Sequence, residues 1–372
     1  VENDKIFMKE AIRAGRKGLG TTSPNPAVGA LIVRNGKVIS TGYHKKAGYN
    51  HAEVEAILNM KGKIRSSDIM YVTLEPCNHR GKTPPCTDAI LKSGLKRVVV
   101  GTLDPNPSVR GGGSKYLRKN GVEVRSGVLE SECRFLIEDY IKFVITGRPF
   151  VIGKSALTID GWTATSTGNS KWVTCEKSRA FVHKLRARVD AILVGIGTVL
   201  ADDPLLTART GGKINKHPHR IIVDTNLRIP HNAKLLNNDS ISKTLIAVGK
   251  NVDSRLVKRI EKHNISVIRC PLKNRKLNLN ALMDILGQRE ISSLLVEGGA
   301  GIMGSMIRER LIDKFYIFKA LKILGGDDGI PMARGKGPLR MDESLVLKDI
   351  KIRKFDDDFM IRGYPDYICS QD

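Results

Sequence analysis

Three residues that lie far apart in this chain carry a pattern that requires them to meet. His51 opens His51-Ala52-Glu53, Cys77 follows Pro76, and Cys86 follows Pro85. Zinc takes imidazole and thiolate ligands in a tetrahedron, and a catalytic zinc keeps one position open for water. A His, a Glu two residues on and two prolyl-cysteines form the pattern of a zinc-dependent deaminase, in which the Glu is not a ligand but a proton carrier. The spacing predicts a helix from His51 to Asn59, with Ala52, Val54, Ala56, Ile57 and Leu58 apolar. Ile69 to Leu74 reads as a buried strand that delivers Cys77 at its end, and Pro84 to Leu91 as a helix start whose prolines sit where amides can be spared. The metal is therefore expected between two helix N-termini, whose partial positive ends favour thiolates. One zinc per chain is expected, held by His51, Cys77 and Cys86, with Glu53 catalytic. Zinc makes its water acidic near neutral pH, and Glu53 would pass the proton to a ring nitrogen and then to the leaving amine. The alternative is a closed structural site with His44 or His79 as fourth ligand.

The chain has 372 residues, 41% of them hydrophobic, which suits two cores better than one. Lys5 to Gly18 has helical spacing, and Asn35-Gly36 is a hairpin turn between Ala30 to Val33 and Val38 to Tyr43. Val98 to Gly101 and Val122 to Val124 read as further strands. Glu130 to Val144 reads as one helix, ended by Thr146-Gly147-Arg148-Pro149. The boundary is placed there, giving domains 1–147 and 148–372. Beyond it, Phe150 to Leu157, Asp190 to Gly195, Arg220 to Val223, Thr244 to Val248, Ser266 to Ile268 and Ser293 to Val296 are strand-like. Ser178 to Arg188 and Leu279 to Arg289 are helix-like, so the pattern is α/β with a largely parallel sheet. Val296-Glu297-Gly298-Gly299-Ala300 is a strand, a glycine turn and a helix start, where a phosphate can approach backbone amides.

Lys and Arg outnumber Asp and Glu by 62 to 38, a net charge of +24. The basic residues are dispersed among acids with no long like-charge block. Dispersed charge of this kind makes a nucleic-acid surface a minor reading; it suits anionic small substrates, such as phosphorylated ones, and equally a basic proteome with a preference for Lys. No run reaches the length of a membrane span. The start lacks a basic-then-apolar leader pattern, so a cytoplasmic protein is expected. The six cysteines are scattered, without the spacing of a secreted disulfide framework.

Longer blocks narrow the reading. Thr73-Leu74-Glu75-Pro76-Cys77-Asn78-His79-Arg80-Gly81-Lys82-Thr83-Pro84-Pro85-Cys86-Thr87-Asp88, Pro24-Asn25-Pro26-Ala27-Val28-Gly29, Gly42-Tyr43-His44 and Asp104-Pro105-Asn106-Pro107 resemble the bifunctional riboflavin biosynthesis deaminase/reductase family. Eight residues separate the two cysteines, where base deaminases usually have two. Thr158-Ile159-Asp160-Gly161, Gly168 to Thr174, Gly195 to Pro204 and Glu297-Gly298-Gly299 resemble the reductase part of the same family; the resemblance fades after Asp313. It implies a cytidine-deaminase-like three-layer domain followed by a dihydrofolate-reductase-like domain that uses NADPH. The implied substrate is 2,5-diamino-6-ribosylamino-4(3H)-pyrimidinone 5′-phosphate, deaminated and then reduced at C1′ to 5-amino-6-ribitylaminouracil 5′-phosphate.

The resemblance also implies roles. Asn25, His44, His79, Lys82 and Asn106 would contact the deaminase substrate. Ala156, Trp172, Thr198, Asp202, Thr225 and the turn Gly299, Ala300, Gly301, Ile302, Met303, Gly304 and Ser305 would contact the cofactor. Ser170, Arg186, Leu206, Arg209 and Glu297 would contact the reductase substrate, with the two arginines able to grip a phosphate. Lys154, Asp202 and Glu297 are the candidate proton donors for the hydride step. Three departures stand out: Asn50 where the family usually has Pro, Val109-Arg110-Gly111-Gly112-Gly113 for the usual Val-Ala-Gly-basic-Gly, and Trp162 for a basic residue. A homo-oligomer, dimer or tetramer, is the expected assembly. The competing readings are a nucleic-acid deaminase with an accessory domain and a non-catalytic zinc scaffold.

Overall fold

A computed structural model describes residues 2–79, 84–107, 112–210, 216–237, 242–261 and 264–367. The chain forms two compact units, Val1–Arg148 and Pro149–Asp372.

The first unit runs α1 (Glu2–Gly15), β1 (Gly29–Arg34), β2 (Lys37–Tyr43), α2 (Ala52–Leu58), β3 (Ile69–Leu74), α3 (Cys86–Ser93), β4 (Arg97–Thr102), α4 (Gly112–Lys119), β5 (Glu123–Ser126), α5 (Glu130–Leu136) and α6 (Glu138–Thr146). Among the described residues its sheet has five strands in the order β2-β1-β3-β4-β5. β1 is antiparallel to both neighbours, while β3, β4 and β5 are parallel. Asn35 and Gly36 both take positive φ, the twist a two-residue hairpin needs. Leu31, Ile32, Met70, Val72, Val98 and Val100 fill the core. The parallel strands β3 and β4 end at one edge of the sheet, and the loops that leave this edge carry Cys77 and Asn106. Crevices at the carboxyl ends of parallel strands are where α/β proteins bind ligands.

Two local features hold that edge in shape. A Cβ at Gly42 would run into the Ala52 carbonyl, so glycine lets β2 touch the first turn of α2. A Cβ at Gly113 would run into the Pro76 carbonyl, so glycine lets α4 start against the Cys77 loop. Of the departing glycine run, Gly113 is needed sterically, whereas a Cβ at Gly112 would meet open space; Val109, Arg110 and Gly111 lie outside the described residues. The single helix expected over Glu130 to Val144 is two helices. Ile137 between them has φ −122° and is 1% exposed, so the chain breaks to turn this side chain into the core.

The second unit runs β6 (Phe150–Thr158), β7 (Trp162–Ala164), α7 (Glu176–Arg186), β8 (Ala191–Gly195), α8 (Ile196–Asp202), β9 (His219–Val223), α9 (Lys234–Asn237), β10 (Thr244–Gly249), α10 (Ser254–Ile260), β11 (Ile265–Cys270), β12 (Leu272–Lys273), β13 (Lys276–Leu277), α11 (Leu279–Gln288), β14 (Ser293–Val296), α12 (Ala300–Arg308), β15 (Lys314–Ala320), β16 (Ile330–Pro331), β17 (Val346–Phe355) and β18 (Asp358–Asp366). Its main sheet has nine strands among the described residues, in the order β11-β10-β9-β8-β14-β6-β15-β18-β17. Pairing is parallel from β11 to β15 and antiparallel through β18 and β17. The wholly buried strands β8, β10 and β14 read as continuous apolar runs, as central parallel strands must. Trp162 in β7 lies on Gly329, where a Cβ would be 2.6 Å from its ring. That contact gives the departing tryptophan a packing role.

Candidate metal centre and cofactor cavity

His51 caps the N-terminus of α2 with extended backbone, and Cys86 is the first residue of α3 after Pro85. The chain thus points an imidazole and a thiol at the same spot from two helix starts. His51 Nδ1 lies 3.2 Å from Cys86 Sγ and 3.5 Å from Cys77 Sγ, and the three ligand atoms lie within 4.8 Å of one another. Zinc–sulfur bonds of about 2.3 Å and zinc–nitrogen bonds of about 2.0 Å put neighbouring corners of a tetrahedron roughly 3.5 Å apart, so the donor set fits zinc. Hydrogen bonds from Cys86 and His51 draw the Cys77 thiol down to about 4, toward the thiolate form that a metal takes. Among the described residues no fourth His, Cys, Asp or Glu joins the cluster. His44 has both ring nitrogens engaged elsewhere and His79 is exposed, so the described ligands leave one corner open. Glu53, in the first turn of α2, is 3% exposed, and burial pushes its carboxyl up to about 7. A carboxyl poised there can both take and give a proton near neutral pH.

Around this centre the structure brings Asn25 and His44 together. The Asn25 amide nitrogen is 3.3 Å from His44 Nε2, and the His44 ring meets the His51 ring edge-on with centroids 5.2 Å apart. Asn106 follows β4; its backbone N–H donates to Asp104 Oδ1 at 2.9 Å. His79 stays on the exposed loop after Cys77, and Lys82 lies outside the described residues. Two residues that motif reading passed over also shape the site. The Tyr140 hydroxyl donates to Asp104 Oδ1 at 3.2 Å and so braces the Asn106 loop from α6. The buried Glu75 carboxylate accepts the Ser114 N–H at 2.8 Å and the Asp104 N–H at 3.2 Å, tying the Cys77 loop to both neighbouring elements. Tyr140 had no signal beyond its helical spacing, and Glu75 stood inside a matched block without a role.

In the second unit a cavity of about 1580 Å³ opens at the carboxyl ends of the parallel strands. Ala156, Ser170, Trp172, Arg186, Thr198, Asp202, Leu206, Arg209, Thr225 and Glu297 line it, as do Gly299, Ala300, Gly301, Ile302, Met303 and Ser305. Gly304 is not part of the lining; a Cβ there would run into the Arg334 carbonyl, so this glycine serves helix packing. Gly299, with φ +48°, is the N-cap of α12, and Thr198 Oγ1 stands 3.3 Å from where a Cβ would sit on it. The turn therefore presents backbone at a helix start, the arrangement that suits a dinucleotide phosphate. Trp172 is 61% exposed with the Arg179 guanidinium 4.4 Å from its ring centroid, so it is a rim residue and not core packing.

The charges in this cavity pair with one another. Arg186 donates from Nε to Glu297 Oε1 at 2.6 Å and from a terminal nitrogen to Oε2 at 2.9 Å, and its other terminal nitrogen donates to the Thr207 carbonyl at 3.2 Å. The fork expected to grip a phosphate is thus turned on Glu297, and Arg209 is the exposed guanidinium. Lys154 Nζ lies 3.9 Å from the same carboxylate. Burial alone would raise Glu297, but Arg186 and Lys154 outweigh it and hold the carboxyl below its ordinary value. Burial lowers Lys154, against the pull of Glu297. Asp202 sits at the exposed end of α8.

Comparison with known proteins places both units. Residues 1–102 match the family model of the cytidine and deoxycytidylate deaminase zinc-binding region, and residues 149–361 match that of the RibD C-terminal domain. The riboflavin biosynthesis protein RibD of Aquifex aeolicus is 42% identical over 360 residues, covering 97% of this chain and 98% of that protein. The chain belongs to the RibD family. The RibD protein of Escherichia coli (strain K12) is 36% identical over 329 residues, 87% of this chain and 89% of that one. The crystal structure of the Thermotoga maritima diaminohydroxyphosphoribosylaminopyrimidine deaminase/5-amino-6-(5-phosphoribosylamino)uracil reductase matches with a TM-score of 0.86 at 34% identity, covering 98% of this chain and 99% of that one. The match to the RibD C-terminal model passes well beyond Asp313, where the motifs fade.

As a RibD-family member the chain is a bifunctional enzyme of riboflavin biosynthesis, with a cytidine-deaminase-like zinc domain and a reductase domain that uses NADPH. No helix among the described residues is long and apolar enough to cross a membrane.

Proposed function

We propose that the first unit deaminates 2,5-diamino-6-ribosylamino-4(3H)-pyrimidinone 5′-phosphate and that the second reduces the ribosyl C1′ of the product. The observation that carries the first half is the convergence of His51, Cys77 and Cys86 within 4.8 Å beside the buried Glu53. A zinc ion held by the three ligands supplies Lewis acidity that makes water nucleophilic near neutral pH. Glu53 takes a proton from the attacking water, gives it to the ring nitrogen, and assists departure of the amine as ammonia. Asn25, His44 and Asn106 orient the pyrimidine and its ribosyl phosphate, and His79 and Lys82 belong to the loop that meets the phosphate.

In the second unit NADPH supplies the hydride, and the protein positions the reacting carbon. Thr198, Thr225 and the Gly299–Ser305 turn hold the dinucleotide, with Trp172 at the rim. Arg209 and Ser170 meet the substrate's phosphate side, while Arg186 holds Glu297 in the orientation the substrate meets. Ring opening of the ribosylamine exposes an imine carbon. Hydride adds there, and the nitrogen takes a proton. Of the three candidate donors, Lys154 is favoured because it lines the cavity 3.9 Å from Glu297, whereas Asp202 lies at an exposed helix end.

The assembly we propose is a homo-oligomer. It is supported by β17, an edge strand with Val346, Ile350 and Ile352 more than half exposed, since an open apolar edge invites a second chain. A cytoplasmic setting is supported by the unpaired thiols Cys77, Cys86, Cys133, Cys175 and Cys270. The deciding experiment offers zinc-loaded protein the diaminopyrimidine ribosyl phosphate with and without NADPH, and reads the products by mass. Ammonia release without NADPH, followed by a gain of two hydrogens only with it, is the expected result. Deamination with no reduction would limit the proposal to the first unit, and turnover of neither would remove it.

A further inference from the structure

His44 is 2% exposed, yet it sits in a polar ring that closes back on the metal-bearing helix. Its Nδ1 lies 2.9 Å from the Asn50 carbonyl. A carbonyl only accepts, so Nδ1 carries the proton. Nε2 is then the bare nitrogen, and the Asn25 amide nitrogen stands 3.3 Å from it as a donor. The Asn50 side-chain amide donates to Glu55 Oε1 at 3.1 Å, and Glu55 Oε2 pairs with Lys45 Nζ at 2.6 Å. Lys45 is the next residue after His44, and Glu55 lies on α2, one helical turn beyond His51. The ring therefore runs from His44 through Asn50, Glu55 and Lys45 back to His44, and anchors the imidazole to the helix that carries a ligand and the acid.

We propose that Asn50, Glu55 and Lys45 act as a positioning clamp that holds His44 in its Nδ1–H form, so that Nε2 accepts a hydrogen bond from an N–H or O–H of the pyrimidine substrate. The proposal rests on the reading of His44 as a substrate contact. When substrate arrives, its donor takes the place that the Asn25 amide holds at Nε2, and the Asn25 amide is released to the substrate in turn. A proline at position 50 would also offer the carbonyl and would fix it by ring stiffness. Asparagine fixes the same carbonyl through its side chain and the buried Glu55 carboxylate. The clamp makes the departure at Asn50 intelligible: the geometry requires the carbonyl at position 50, and a side-chain hydrogen bond holds it here. No proton is lost or gained in this role, and Glu55 stays a carboxylate throughout.

The test uses the zinc-loaded full chain with 15N-labelled histidine and reads the His44 tautomer by long-range proton–nitrogen correlation, with His44→Gln for assignment. Kinetics on the diaminopyrimidine ribosyl phosphate accompany it. The expected wild-type state is Nδ1–H. Asn50→Ala is expected to mix the tautomers and to raise the deaminase KM about tenfold, the worth of one oriented hydrogen bond, with kcat changed far less. Asn50→Pro is expected to restore both the tautomer and the KM. Lys45→Met, at a half-exposed side chain, is expected to give the same change in smaller measure, roughly twofold to threefold in KM, and it guards against a folding defect in the other variants. A wild-type Nε2–H tautomer, or an Asn50→Ala protein with unchanged tautomer and KM, would overturn the clamp. An unchanged KM in His44→Gln would instead remove His44 as a substrate contact, which separates failure of that reading from failure of the clamp.

Discussion

In the first unit the reactive atoms sit within 4.8 Å of one another on the ends of three elements, whereas in the second they are spread around a cavity of about 1580 Å³. The first site is held by backbone: His51 and Cys86 are a cap and a first helical residue, and Cys77 follows a strand. The second is held by side chains that neutralise each other, Arg186 and Lys154 against Glu297. A metal tolerates little error in ligand position, so its donors belong on rigid ends. A dinucleotide and a sugar phosphate need room, and around that room the buried charges pair with one another while Arg209 stays exposed.

That contrast predicts that damage in one unit spares the other. Glu53→Gln should cut deamination about a thousandfold, with zinc content and reduction of the deaminated intermediate unchanged. Ammonia release, metal analysis and NADPH oxidation read the three quantities; loss of zinc would mean that Glu53 holds the metal and does not move protons. Arg186→Met should lower reduction about a hundredfold, because the Glu297 carboxylate is left buried without its fork. Deamination falling with it would break the contrast.

The end of β3 opposite the metal centre gives a smaller, pH-dependent effect. Arg34 grips both oxygens of the fully buried Asp68, and that hydrogen bond is the first cause holding the Asp68 carboxyl below its ordinary value. A depressed carboxyl stabilises the fold above its unfolded value and loses that contribution as pH falls through its folded value. Asp68→Asn should therefore destabilise the first unit by about 2 kcal/mol near neutral pH, and denaturant melts of mutant and parent should converge in acid. Equal differences at both pH values would show that packing, not charge, is lost. Least of all, Gly299→Ala should weaken NADPH binding roughly fivefold, since alanine at φ +48° costs about 1 kcal/mol. A fluorescence titration checks it, and unaltered affinity would take the turn out of the cofactor site.

Legibility followed the same divide. The metal ligands and their elements could be read from local order, since a proline, a cysteine and a helix start are near neighbours in sequence. The fate of Arg186 could not, because Glu297 is 111 residues away and only the pairing of β14 with β8 and β6 brings it close. The helix over Glu130 to Val144 misled because its apolar spacing is continuous, while the core claims Ile137 from the side. Helix α8 hides in a glycine-containing stretch of low helical propensity, and the edge strand β17 alternates between faces that are both exposed.

By itself the sequence picked out three residues that the fold brings within 4.8 Å of one another, the glycine turn at the head of α12, and the division into two α/β units. Those are properties of residues within one turn or one loop of each other, where backbone geometry leaves few choices. The tertiary structure alone decided which charge answers which: Arg186 to Glu297, Glu75 to two amides behind Cys77, and Asn50 to Glu55 behind His44. A side chain's partner is set by what packing brings within about 3 Å of it, and local sequence does not encode that distance.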